Sequence, residues 1–328
     1  MSFLSNHFLH HGIILDGVGN MKLKGFLQAQ GGVGGPIGVG DVYYLDPTNG
    51  SDSRSGRTPA KAFQTLAAAE DALTANQNDI LFYIPGSSSL SISSALTWDK
   101  DYTHFVGLCA PTNVGQRARI FNSGNLASLI TISASGCSFQ NFYIFQGGAT
   151  AASGNVVVTG DRNFFNNVHF AGIGHATPAG NANAYSLKLT GAAENVFKNC
   201  TIGIDTIKRT AANNHLVVDT DSKRNTFDGC MFLSWAETNT YTLVKISGGN
   251  DRWTRFHDCL FYNFWTNHGD NLLEAFDATI TTTHDVLITG NSALVGILEW
   301  EAGDIAGTWI SSPAPAAATS GIAVKPAT

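Results

Sequence analysis

Lys198, Asp228 and His257 each directly follow a phenylalanine, Phe197, Phe227 and Phe256, in a pattern that recurs along the chain. Brought onto one surface, a carboxylate and an imidazole can exchange a proton with a substrate, and an ammonium group can stabilise developing negative charge. Gln140 and Asn166 hold the same place after Phe139 and Phe165. The competing account is a polar ladder on a solvated strand, whose ion pairs contribute little. It is preferred, because any repetitive surface produces such a column. Asp219 and Asp221 are close enough in sequence to suggest the paired carboxylates of a glycosidase, but a turn after the strand HLVV favours Asp anyway. Asp46, Asn49 and Asp52 in DPTNGSDS miss the spacing of a calcium loop, so a tight turn is expected there. GGVGGPIGVG precedes no helix and is no phosphate loop. No metal or cofactor is expected.

The elements that would position these residues are visible as repeats. SFQNFYIF from Ser138, FFNNVHFA from Phe164, VFKNCTIG from Val196, TFDGCMFL from Thr226 and RFHDCLFY from Arg255 share one design, with periods of 26, 32, 30 and 29 residues. An aromatic is followed two places on by Asn141, Asn167, Asn199, Gly229 or Asp258. Next comes Phe142, Val168, Cys200, Cys230 or Cys259, and two places further Ile144, Phe170, Ile202, Phe232 or Phe261. Offsets 0, 3 and 5 cannot face one side of a continuous strand, since side chains alternate. A corner must intervene, and Asn, Gly and Asp are the residues that tolerate left-handed backbone. Upstream of each repeat lies another alternating run, such as LITISASG from Leu129 and HLVVDTD from His215. Three short strands per coil emerge, and stacked coils bury what one coil cannot. Weaker copies are read at Phe105, Gly107 and Leu108 and at Thr289, Asn291, Ser292 and Leu294. Seven rungs would make a prism about 34 Å long.

The fold class is therefore all-β: a single-stranded right-handed parallel β-helix over residues 41–305, with an N-terminal capping helix at about 58–75 and extended termini. Thr58 is read as the N-cap, with Pro59 following and Phe63, Leu66, Ala69 and Leu73 on one face. Residues 1–40 form a Gly-rich arm and 306–328 an Ala/Pro/Ser-rich tail. Phe3, Leu4, Phe8, Leu9, Ile13, Ile14 and Leu15 would dock the arm on a neighbour, since a solvated tail gains nothing from them.

Composition agrees. The chain has 328 residues, 43% hydrophobic and 13% charged, with 35 glycines; glycine and the scarcity of long charged residues disfavour a helical bundle. A net charge of -6 without a basic run excludes nucleic acid as the expected partner. No apolar run is long enough to span a membrane, and the N-terminus lacks the positive region of a secretory signal. The five cysteines match no zinc spacing and are read as reduced and inert.

From Val42 through YLDPTNGSDSRSGRTPAKAFQTLAAAEDAL, DILFYIPG and the Asn-containing coils to about residue 300, the chain resembles the pectin-lyase-like family of right-handed β-helices. That family contains many bacteriophage virion proteins beside polysaccharide lyases and hydrolases. The resemblance implies fold more than activity. The calcium-binding aspartate cluster of the lyases has no counterpart here.

Outward positions of the last strand in each coil carry Tyr143, Phe145, Met231, Leu233, Leu260 and Tyr262, a patch that a monomer rarely exposes. Either loops between coils cover it or it is the interface of a homotrimer, and the interface is the expectation. Trp235, Trp253, Trp265 and Tyr241 suit stacking on sugars as well as on protein. The function expected is a non-enzymatic virion protein made in the host cytoplasm: a decoration or cement protein on the outer surface of the capsid, bound to the major capsid protein. The alternative is a tailspike-like depolymerase acting on a cell-surface glycan, with Asp228, His257 and Lys198 as its catalytic set.

Overall fold

The computed structural model describes residues 40–122, 126–148, 154–247, 252–266, 272–278 and 286–300, together with the backbone of Ile13–Leu15, Met21–Leu23 and Thr308–Ile310. Residues 1–37 and 38–328 are two compact units. The first holds an antiparallel pair of short strands, Ile13–Leu15 with Met21–Leu23, inside the segment read as an extended arm. Of the proposed docking residues, Phe3, Leu4, Phe8 and Leu9 lie outside the described residues, and only the backbone of Ile13, Ile14 and Leu15 is described.

The second unit winds as a parallel β-helix with three walls. The first wall stacks His104–Gly107, the start of Ser138–Gln146, the start of Phe164–Ala171, Val196–Lys198, Thr226–Asp228, Thr254–His257, Val286–Thr289 and Thr308–Ile310. The second wall continues through the long strands into Thr201–Arg209, Met231–Ala236, Leu260–Phe264 and Ala293–Val295. The third holds seven strands from Leu96–Trp98 to Phe276–Ala278, which is about six turns of the solenoid.

Phe139, Phe165, Phe197, Phe227 and Phe256 lie in register one above another, with centroids 4.6 to 5.0 Å apart and planes within 12°. That spacing is the hydrogen-bonding distance between strands, so the backbone ladder itself sets the ring stack. A second column runs through Ile144, Phe170, Ile202, Phe232, Phe261 and Leu294, all buried. Trp98 packs edge-on against Phe139 at 5.4 Å, with Phe105 and Tyr83 continuing the aromatic core beyond it, and Trp300 packs edge-on against Phe261 at 5.4 Å near the other end.

The corner between the first two walls is the predicted one. Asn141, Asn167, Asn199, Gly229 and Asp258 take φ of 50 to 61°, the left-handed region. The residue after each turns inward, and Cys200, Cys230 and Cys259 are about 1% exposed. Each thiol donates to a carbonyl one coil back: Cys200 to Phe165, Cys230 to Phe197 at 3.2 Å and Cys259 to Phe227 at 3.4 Å. Burial pushes the Cys230 and Cys259 thiols well up. Reactivity needs the thiolate, so these cysteines are expected to stay unmodified by an aromatic disulfide reagent at pH 8 until denaturant is added. Rapid native labelling of either would show that the column is open.

A second ladder stands at the preceding corner and was not anticipated. Asn163, Asn195 and Asn225 point inward, buried, two residues before their phenylalanines. The side-chain oxygen of Asn163 accepts from the Cys137 backbone N–H, that of Asn195 from Asn163, and that of Asn225 from Asn195, at 2.8 to 3.0 Å. Their amide nitrogens donate back to the carbonyls of Ala134, Gly160 and Ala192. Outside this ladder Glu194 pairs with Arg162 below and Arg224 above, each at 2.7 Å.

Two boundaries and two registers differ from expectation. The capping helix is shorter: Pro59–Lys61 is a 3-10 turn and the α-helix is Leu66–Asp71, capped by Thr65. Asp52 accepts from the Gln64 and Thr65 backbone and the Thr65 hydroxyl, and Phe63 pairs with Leu45 as extended chain, so the helix cannot begin before Thr65. Its Leu66 and Ala69 still join the main core. Leu108 is exposed rather than inward, because that coil leaves the ladder after Gly107 and resumes at Arg119–Asn122. In the last copy Ile288, not Thr289, stacks on Phe256. Thr308–Ile310 pairs with Val286–Thr289 as a further rung, so the solenoid extends past residue 305.

Candidate functional site

The first wall presents Asn166, Lys198, Asp228, His257 and Thr289 outward on five successive strands in register. Gln140 continues the column but is buried against Ser138. Lys198 Nζ stands 3.8 Å from Asp228 Oδ2, with half of the lysine side chain in water. A pair so exposed contributes about 1 kcal/mol or less. Asp228 and His257 occupy adjacent rungs but share no hydrogen bond. Instead His257 Nδ1 lies 2.9 Å from Thr289 Oγ1, and its Nε2 lies 3.4 Å from Asp258 Oδ2. Asp258 also accepts from the Asn291 N–H at 2.6 Å, and Arg255 Nε donates to Thr289 Oγ1 at 3.1 Å.

Arg255, Asp258 and Thr289 are thus part of the site and were not read as such. The repeat pattern gives Asp258 only to the corner. Thr289 was hidden by a register one residue out, which gave it the place of the inward aromatic. One extra residue between Ile288 and Leu294, relative to Phe256 and Phe261, caused the slip.

The other carboxylates are committed to structure. Asp219 takes Lys188 at 3.0 Å and the Thr220 N–H, while Asp221 is exposed in a left-handed turn. Asp46 accepts from the Thr48 and Asn49 backbones. Among the described residues no group of three or more His, Cys, Asp or Glu is gathered as a metal centre, and no helix is long and apolar enough to cross a membrane.

On the outer face of the second wall, a loop of the chain itself crosses beside the apolar patch, over Asn167, His169 and Thr201. The loop is the segment 108–118: Thr201 Oγ1 donates to Asn113 O at 2.6 Å and Gln116 Nε2 to Asn167 O at 2.9 Å. Leu233 is buried within the chain, so it offers no surface to a partner, whereas Tyr143, Phe145, Met231, Leu260 and Tyr262 are half-buried. The ring of Tyr143 is sandwiched by His169 and the Arg119 guanidinium. Trp265 is buried and Tyr241 lies under Arg209, while Trp235 and Trp253 stay half-exposed.

His169 fastens that covering loop. Its Nδ1 accepts from the Gly115 N–H at 3.1 Å and its Nε2 lies 2.8 Å from the Gly203 carbonyl, an arrangement that only the neutral imidazole can make. Tyr143 flanks the ring; buried His215, itself held low by desolvation and by Arg209, adds no carboxylate. Burial lowers the His169 pKa to about 4, partly offset by the Gly203 carbonyl. The unfolded chain, with an imidazole near its ordinary value of 6.5, binds the proton more readily. Stability is therefore full above pH ~6.5 and falls as pH drops towards ~4, by on the order of 3 kcal/mol. Urea midpoints at pH 7 and 4.5 check this, and His169→Gln should reduce the dependence without abolishing it, since buried His215, also held low, remains; an unchanged slope would refute the latch.

No family model and no curated protein matches the sequence. Solved structures do match in shape. A pectin methylesterase from Erwinia chrysanthemi superposes with a TM-score of 0.55 at 14% identity, over 84% of this chain and 91% of that one. Pectate lyase Pel9A gives 0.55 at 13% identity, over 86% and 72%. A rhamnogalacturonan lyase gives 0.51 at 14%, over 80% and 69%. At such identities the likeness is one of fold: the chain shares the parallel β-helix with these proteins.

Proposed function

We propose that this protein acts on a glycan as a β-helical depolymerase, with the outer face of the first wall as its working surface. The observation that carries this reading is the register that places Lys198, Asp228, His257 and Thr289 on consecutive exposed rungs. A stiff flat wall with cation, carboxylate and imidazole at strand spacing can lie along a polymer whose units repeat on a similar scale. Asp228 and His257 would serve as acid and base, and Lys198 would face developing or fixed negative charge. Proteins of the same fold named as pectin methylesterase, pectate lyase and rhamnogalacturonan lyase support a polysaccharide as the substrate class. Incubation with bacterial capsular and plant acidic polysaccharides should release reducing ends, and Asp228→Ala should lower the rate by about 100-fold or more. Intact polymer after incubation with wild-type protein would sink the proposal.

A second reading, the non-enzymatic capsid decoration protein bound to the major capsid protein, is favoured by one observation. The column's ion pair is 3.8 Å long and exposed, and its acid and base make no contact. Retention of the protein on purified capsids, lost on deleting residues 1–40, would support that reading.

A further inference from the structure

We propose that Thr289, His257, Asp258 and Arg255 form a hydroxyl–imidazole–carboxylate relay that hydrolyses acyl esters through an acyl-threonine intermediate. This goes beyond glycosidic cleavage and gives Thr289 the role of nucleophile.

The Asp258 carboxylate opposite Nε2, at 3.4 Å, favours the tautomer that carries its proton there. Nδ1 is then bare and faces the Thr289 hydroxyl at 2.9 Å, which donates to it in preference to the Phe256 carbonyl at 3.5 Å. That places a nucleophile beside its general base, with the charge of Asp258, at ion-pair distance and without a hydrogen bond, biasing the tautomer of the base. Arg255 contributes twice. Its Nε donates to the same hydroxyl oxygen at 3.1 Å, which favours the alkoxide character that attack requires. Its terminal N–H groups have no partner among the described residues and can receive the oxyanion of a tetrahedral intermediate.

Gly290 makes the arrangement possible. At φ +70°, a Cβ there would lie 2.1 Å from Asp258 Oδ1 and 2.8 Å from the His257 ring, so any side chain would push the carboxylate and imidazole away. Asp258 Oδ1 is itself held by the Asn291 N–H, which leaves Oδ2 to face the imidazole. A surface ladder needs neither this cradle nor a defined tautomer.

The reaction balances with water as co-reactant. Thr289 Oγ1 attacks the ester carbonyl as its proton passes to His257 Nδ1, and the tetrahedral oxyanion rests against Arg255. The C–O bond to the leaving alcohol breaks, and the alcohol leaves with the proton from Nδ1. Water then attacks the acyl-threonine and gives its proton to Nδ1. Collapse releases the carboxylic acid and returns the proton to Thr289. The substrate class is an O-acylated sugar or another small acyl ester.

The test uses the full chain with p-nitrophenyl acetate and with glucose pentaacetate. Turnover above the buffer rate is expected, and mass spectrometry of an acid-quenched sample should place an acetyl group on the Thr289 peptide. Thr289→Val, isosteric and half-exposed, should reduce kcat/KM by about 100-fold or more with unchanged thermal midpoint, and Thr289→Ser should retain turnover. Gly290→Ala should lower kcat with little change in KM. Absence of turnover in the wild type, or turnover untouched by Thr289→Val, overturns the proposal. Reducing-end release, measured in parallel, separates the two readings: ester turnover without chain cleavage removes the depolymerase and keeps the relay, and chain cleavage without ester turnover does the opposite.

Discussion

Phe227→Ala is expected to destabilise the β-helix by about 3–5 kcal/mol, the upper range for deleting a buried aromatic. Phe227 is fully buried, with Phe197 at 4.7 Å on one side and Phe256 at 5.0 Å on the other, and Phe232 edge-on at 5.8 Å. In most cores the neighbours relax into the void. Here they cannot, because the ring spacing is imposed by backbone hydrogen bonds between Val196–Lys198, Thr226–Asp228 and Thr254–His257. The gap stays open, and its lining loses dispersion contacts outright. Phe227→Leu, which fills most of the volume, should cost about half as much. Urea unfolding followed by far-UV circular dichroism measures both; a loss under about 1 kcal/mol for the alanine variant would mean that the stack does not support the fold.

Asn195→Ala is the second large effect, expected at about 2–5 kcal/mol although it removes little apolar area. Deleting the carboxamide orphans the Asn163 N–H, bonded at 2.9 Å, and the Gly160 carbonyl, bonded at 3.1 Å. Both are buried, and each buried unsatisfied group costs about 1–3 kcal/mol. Asn195→Asp is the sharper probe. A carboxylate can still accept from Asn163, but its second oxygen would meet the Gly160 carbonyl and the Asn225 side-chain oxygen with no proton between them. It should be worse than alanine at pH 7 and recover part of its stability as the carboxyl protonates in acid. If Asn195→Asp matched the wild type at neutral pH, the ladder's donor and acceptor directions would be wrong.

The two effects differ in how far the chain alone announces them. The phenylalanine column follows from offsets 0, 3 and 5 and a left-handed residue at the parity switch, and all five copies stack in the expected register. The asparagine ladder carries an equally regular signal, N-F-F, N-V-F and N-T-F at residues 163, 195 and 225. It goes unread because Asn before a strand is ordinary turn chemistry, and only stacking turns three such residues into one buried column. The tertiary contacts of the capping segment also override its local pattern, since Asp52 and Leu45 draw Gln64, Thr65 and Phe63 out of the helix that their spacing suggests.

Repeat period, corner chemistry and the inward set belonged to the sequence itself, because each depends on residues within one coil and is written again in the next. Which groups meet across coils did not. Thr289 reaches His257 from 32 residues away and Asn113 reaches Thr201 from 88. A single inserted residue, or a loop folding back over a wall, changes such partners while leaving every local pattern intact. The polar column could be listed from the sequence, but the hydroxyl facing its imidazole and the loop covering its neighbouring wall were decided by the register and path of the folded chain.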